Sequence, residues 1–295
     1  MPDAIMQENV SLLFRNELPP FREGSVMIAN YHTHTQRCNH AQGTEEEYVL
    51  SALASGMGVL GFSDHAPYPD DSHGRMPYPD LAVHFAEVDR LAGKYASRLR
   101  IRKGLEIEYL PRYRDYYEEL LTRRKLDYLL LGEHFYPRGD QVPLLMDAKS
   151  TEENIYYAEA IREALKTGYF LMLAHPDLFA MNPFAWDDRC ERASDIILEA
   201  AAKTGAVLEF NANGYRRGIH PYPDGDRYMY PHLRFWQKVS GSGLRVIIGA
   251  DAHEPSQVWD DKMVRARQVL RDLGIEPLTN LEGLLPPWQG GRRQT

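Results

Sequence analysis

The stretch NYHTHTQRCNHAQGT, residues 30–44, holds His32, His34 and His40 within nine positions. Imidazole is the commonest side-chain ligand for transition metals. In an extended chain alternate side chains share a face, so His32 and His34 can address one ion while Thr33 points away. GADAH, much later in the chain, repeats the device with Asp251 and His253. Between them come FSDHAP with Asp64 and His65, GLEIEY with Glu106 and Glu108, GEHF with Glu133 and His134, AHPD with His175, and EFNAN with Glu209 and Asn211. A carboxylate has two oxygens and can join two cations. Histidines mixed with carboxylates therefore indicate a multinuclear site for divalent transition metals such as Zn, Mn or Fe.

A single HxH pair is weak evidence, and His65 or His175 alone would more often be a hydrogen-bonded core residue. The weight lies in the distribution. Of the 11 histidines, seven fall at or just beyond the C-terminal ends of expected strands, and His73, His84, His220 and His232 do not. His84, inside DLAVHFAEVDRLAGKYA, reads as a surface or packing residue. Asp64 and Glu108 read as orienting partners or polar rim groups, and Cys38 as packing.

Seven apolar runs read as strands: 26–31, 58–63, 101–109, 126–133, 169–175, 206–211 and 244–251. Helical patterns fill the gaps, among them TEEEYVLSALASG, with Thr44 and Glu47 as a capping pair, and STEENIYYAEAIREALKTG, ending on Gly168. Strand followed by helix, repeated in this way, predicts parallel strands with helical crossovers. Every strand places a ligand type or polar amide at its C-terminal end, and gathering all of these on one small site requires closure, so a barrel is favoured over an open sheet.

Composition narrows the function. The chain has 295 residues, 43% hydrophobic, with a formal charge of -8, which disfavours a surface built to neutralise a phosphate backbone, so nucleic acid is not an expected partner. No apolar stretch is long enough to span a membrane. The two cysteines, Cys38 and Cys190, are too few for a disulfide framework. A soluble chain without a secretion signal, in the cytoplasm, is the expectation.

Taken in order, YHTHTQRCNHA, FSDHAP, GLEIEY, GEHF, AHPD and GADAH, over roughly residues 28 to 260, resemble the PHP (polymerase and histidinol phosphatase) superfamily. CNHA, LEFNANGYRRGIHPYP and RVIIGADAH resemble its stand-alone histidinol-phosphate phosphatases rather than its polymerase-attached domains. The resemblance implies an α/β fold, a distorted TIM-like (β/α)7 barrel, as a single domain over 1–295. Its core would span about 26–275, with a peripheral N-terminal segment and C-terminal tail. The resemblance also implies three divalent metal ions. One would take His32, His34, Glu106 and Asp251; a second would share Glu106 and add His134 and His175; the third would take His40, His65 and His253. Such cations supply a water of lowered pKa as nucleophile, so no protein nucleophile is needed.

The expected activity is hydrolysis of a small phosphorylated substrate, L-histidinol phosphate, in histidine biosynthesis. Glu106, Asp251 and Arg216 carry the catalytic expectation. Arg216 is preferred over its neighbour Arg217 for the phosphate, with Asn211 as a further substrate-binding group. Asp177, Tyr136 and Tyr215 are candidates to receive the substrate's cationic amine. The alternatives are a related phosphoesterase or other metal-dependent hydrolase with a different substrate, and a regulatory module that binds metal without turnover. An amidohydrolase would offer a lysine on the fourth strand, which LLLGEHF lacks, and a regulatory module would be expected to have lost ligands.

Overall fold

The computed structural model describes residues 29–70 and 74–285. The N-terminal segment, the first positions of the expected opening strand, His73 and residues 286–295 lie outside the described residues.

Apolar runs and helical crossovers alternate as the sequence patterning requires. The elements are β1 (Ala29–Asn30), α1 (Glu45–Ala54), β2 (Val59–Phe62), α2 (Leu81–Tyr95), β3 (Arg100–Ile107), α3 (Arg114–Thr122), β4 (Tyr128–Leu131), α4 (Glu153–Lys166), β5 (Met172–Leu173), α5 (Asp188–Thr204), β6 (Val207–Asn211), α6 (Asn213–Arg216), β7 (Ile219–His220), β8 (Arg227–Tyr228), α7 (Leu233–Val239), β9 (Val246–Gly249) and α8 (Asp261–Asp272). The strands of the seven-stranded sheet run β1-β2-β3-β4-β5-β6-β9, every pair parallel. β7 and β8 form a separate antiparallel ribbon that the sequence pattern did not suggest.

Closure comes at the C-terminal ends of the strands. Beyond β1 and β9, Thr33 and Ala252 form a parallel bridge, with His34 N donating to Ala252 O at 2.8 Å and Ala252 N to His32 O at 3.2 Å. The lower half of this seam is filled by later chain: Leu278 N donates to Val246 O at 2.7 Å, and Leu281 N donates to the Tyr31 hydroxyl at 2.9 Å. Leu281 is fully buried, packed in the barrel interior with Tyr31, Val59, Tyr128, Leu130 and Ile247. The expectation that everything after about residue 275 is peripheral is therefore corrected for 278–285. These residues cover apolar interior and the edge of β9 beside Val246 and Ile247.

Inside the barrel the Tyr128 ring lies against Gly61 and Gly104, where any Cβ would collide with it, and its hydroxyl donates to Tyr31 O at 2.7 Å. The helices pack their apolar stripes against the outer strand faces. α1 begins with the expected capping box, Thr44 N donating to Glu47 Oε2 at 2.7 Å and Glu47 N to Thr44 Oγ1 at 3.4 Å. Among the described residues no helix is long and apolar enough to cross a membrane.

Candidate metal centre

Each parallel strand ends on the same barrel face, and the side chains just past those ends converge. His32 and His34 leave β1 on one face, their Nε2 atoms 3.0 Å apart. Glu106, on β3, lies at the centre. Its Oε2 is 3.3 Å from His32 Nε2, 3.3 Å from His34 Nε2 and 3.1 Å from His65 Nδ1. Its Oε1 is 3.0 Å from His175 Nε2 and 4.0 Å from His134 Nε2. The two oxygens thus address two different sets of imidazoles. Asp251 Oδ1 faces His34 Nε2 at 3.2 Å and His32 Nε2 at 3.5 Å. Gly132 makes room for the Glu106 carboxylate, which a Cβ there would strike.

His40 and His253 complete the cluster, with ring centroids 5.2 Å apart and 5.3 Å from His40 to His65. All nine residues expected to hold metal are brought together. Three groups have ligand atoms close enough to share an ion: His32, His34 and Asp251; Glu106, His134 and His175; and His34, His65 and Glu106. The first two follow the expected partition. In the third, His65 sits with Glu106 more closely than with His40 and His253.

Several features fit cations. Nδ1 of His175 is buried without a hydrogen-bond partner, a costly arrangement. Burial lowers the pKa of His34, His40 and His65, whereas for His32 and His134 neighbouring carboxylates outweigh burial and raise it. Burial would raise Glu106 and Asp251. The surrounding imidazoles, His65 and His32 for Glu106 and His32 and His34 for Asp251, instead hold both well below the usual carboxylate range. His175 and Asp251 adopt φ of 30° and 45°, a conformation L side chains avoid unless their surroundings impose it.

A second layer orients these rings; Asp64 and Glu108 were expected among its candidates, and Glu209 in that role was not. His32 Nδ1 donates to Glu209 Oε1 at 2.8 Å, and His134 Nδ1 to Glu108 Oε1 at 2.9 Å. Glu108 also takes two hydrogen bonds from Arg75, both 2.7 Å, so its place is behind His134, while Glu106 is the carboxylate that faces both sets of imidazoles. Asp64 accepts from Thr35 N at 2.8 Å and from the Cys38 thiol at 3.0 Å, which makes Cys38 more than filler. His84 is fully buried, its Nδ1 donating to Glu45 Oε1 at 2.9 Å, and is not a surface residue. The signal available for Glu209 was its two-residue spacing from Asn211 on one strand face.

Three expectations are corrected: the place of Arg216, that of Asn211, and the residues expected to receive an amine. Arg216 points away from the centre: Nε donates to Asp260 Oδ2 at 2.8 Å, and its terminal nitrogens donate to Ala250 O and Gln257 O, so its donors serve the fold. Arg217 is the arginine that lines the cavity over the cluster, beside Asp251 and Tyr230. Asn211 is buried beneath the site, its Nδ2 donating to Glu209 Oε2 at 2.8 Å and Asp251 Oδ2 at 3.2 Å, so it positions ligands and does not reach substrate. None of Asp177, Tyr136 and Tyr215 lines that cavity; Asp177 accepts from His232 N at 2.5 Å and Trp236 Nε1 at 3.1 Å.

The PHP domain model matches residues 30–213. The chain is 30% identical over 261 residues to the probable histidinol-phosphatase of Deinococcus radiodurans, covering 85% of this chain and 96% of that one. It is 24% identical over 260 residues to the histidinol-phosphatase of Bacillus subtilis, covering 77% and 94%. In fold it is similar to the histidinol phosphate phosphatase of Lactococcus lactis, solved with zinc, L-histidinol and phosphate, with a TM-score of 0.65 at 18% identity over 85% of this chain and 95% of that chain.

Proposed function

The chain belongs to the PHP family, and from that premise we propose that it is a metal-dependent phosphomonoesterase that hydrolyses L-histidinol phosphate to L-histidinol and phosphate. The observation that carries the reading is the convergence of seven imidazoles and two carboxylates beneath a cavity whose edge carries Arg217. We infer three divalent ions, Zn, Mn or Fe, held by the three expected groups, with His65 also beside Glu106. Bound there, such ions lower the pKa of a water from 15.7 to roughly 7 and neutralise phosphate oxygens.

The protein's own residues do the rest. Glu106 offers one oxygen to each of two ligand sets and so fixes their spacing. Two carboxylates cannot neutralise three dications, so the cluster is left positive and attracts a phosphate dianion. Arg217 Nε donates to the Tyr230 hydroxyl at 3.2 Å, which aims the guanidinium fork over the cavity for a charge-assisted phosphate contact. Glu209 and Glu108 hold His32 and His134 in the tautomer that leaves Nε2 free to ligate. We place this activity in the cytoplasm, on a small phosphorylated substrate.

A second reading, a phosphatase of the same chemistry with another small substrate, is favoured by one observation: none of the three residues expected to receive the histidinol amine lines the cavity. The experiment is phosphate release from L-histidinol phosphate against a panel of phosphomonoesters. The highest kcat/KM on histidinol phosphate supports the first reading; a tenfold advantage for another ester, about 1.4 kcal/mol, moves the assignment to the second.

A further inference from the structure

The cavity over the cluster measures about 180 Å3. Ligand pockets commonly run to roughly 300–1,000 Å3, so this one seats a phosphate and little more. Beside it lies a second chamber of about 590 Å3, which shares His40, His65, His134 and Met146 with the first. A phosphomonoester whose phosphate lies on the metal centre has room for its alcohol past Met146 in that chamber.

The chamber's outer wall is a short hairpin that leaves His134 directly: Leu145 N donates to His134 O at 2.7 Å, and antiparallel bridges join Phe135 to Leu144 and Arg138 to Gln141. Val142 and Leu144, two apart on its returning strand, share one face of the extended chain, and Met146 follows in the 3-10 turn Leu145–Asp147; all three line the chamber. All three are exposed large apolar residues, Met146 at 63%. Apolar side chains grouped on a surface beside a polar site mark a place where a ligand covers them. Opposite stands Tyr68, and the carboxylate there, Glu108, is already held by Arg75, Tyr68 and His134.

We propose that this hairpin forms the leaving-group subsite, selecting monoesters of alcohols with a flat or apolar body, and that Met146, at the junction of the two chambers, is its specificity-determining residue. The thioether is flexible and polarisable and packs well on ring edges, so it can close over a flat group without fixing one shape. Polyol phosphates leave the apolar wall uncovered and are disfavoured. This inference rests on the phosphatase reading and adds the class of alcohol to it.

The test compares benzyl phosphate with glycerol 1-phosphate, both esters of primary alcohols, in the metal-loaded enzyme and in Met146→Ser, Leu144→Ser and Met146→Leu. Loss of one apolar contact in such a pocket is worth roughly 10- to 200-fold. The ratio of kcat/KM for benzyl over glycerol phosphate should fall at least about tenfold in each serine variant, mainly through KM, and recover in Met146→Leu. A ratio unchanged by both serine variants, in an enzyme that hydrolyses both esters, overturns the subsite and leaves the phosphatase reading standing. No phosphate release by the wild-type enzyme from either ester or from histidinol phosphate overturns both.

Discussion

Glu106 is the residue on which the centre turns, because its two oxygens face different imidazoles. Glutamine keeps the shape but offers one good acceptor oxygen and no charge. Glu106→Gln should therefore lower metal content at two positions and abolish turnover, whereas Glu108→Gln, one layer back, should weaken metal binding by about 10- to 100-fold without removing the bridge. Elemental analysis and phosphate release distinguish them; normal metal and turnover in Glu106→Gln would move the bridge elsewhere. Arg217→Ala should cost about 2–3 kcal/mol in kcat/KM with metal content kept. Arg216→Ala should instead lower Tm, because it frees Asp260 and two backbone carbonyls. The candidate ligands were legible because ligand types recurring at strand ends are a local signal in the sequence. The choice between Arg216 and Arg217 was not: they close a single helical turn, on which consecutive side chains diverge by about 100°, and only the packing of α8 and its preceding loop shows which one is consumed.

At the scale of elements, seven strands and their crossovers were readable from alternating apolar runs, but their lengths were not. The expected seven-residue run at 169–175 contributes only Met172–Leu173 to the ladder, since hydrophobicity reports burial and not hydrogen bonding. Closure was inferred from chemistry and is carried in the structure by one bridge and a carbonyl exchange. The joint between α1 and α2 was invisible, because it pairs residues far apart in sequence: Glu45, first in α1, accepts from His84 of α2 at 2.9 Å and from Arg37 Nε at 2.5 Å. Burial would raise its pKa, yet these two partners hold it at about 2, against an ordinary 4.5. A carboxyl lowered on folding stabilises the native state above its unfolded pKa and loses that contribution as pH falls through its folded one. Glu45→Gln should thus be less stable than wild type at pH 7 by about 1–3 kcal/mol. The gap should narrow between pH 4.5 and 2 in denaturant titrations; a gap independent of pH would exclude the carboxylate as its source.

At the scale of the molecule, the barrel is sealed below by chain that was expected to be a peripheral tail. Leu281 fills the interior beside Tyr128, and Glu282 pairs with Arg100 and Arg102 across the floor. Leu281→Ala should cost about 2–5 kcal/mol, read as a lower denaturation midpoint; a change below 0.5 kcal/mol would mean the segment rests on the barrel without supporting it. Stripping metal with a chelator should also lower Tm, by an amount that depends on free metal concentration, because ligands that bind only the folded state stabilise it by mass action. The Thr33–Ala252 bridge has a consequence in time as well as in space. It sets His32 and His34, made early in synthesis, against Asp251 and His253, made late. A nascent chain emerging from the ribosome holds the first half of the site long before the second exists. If the proposed ion position across that seam is right, tight loading there should report that translation has run past residue 253, and a fragment ending earlier should carry histidines in plenty but no complete seat for that ion.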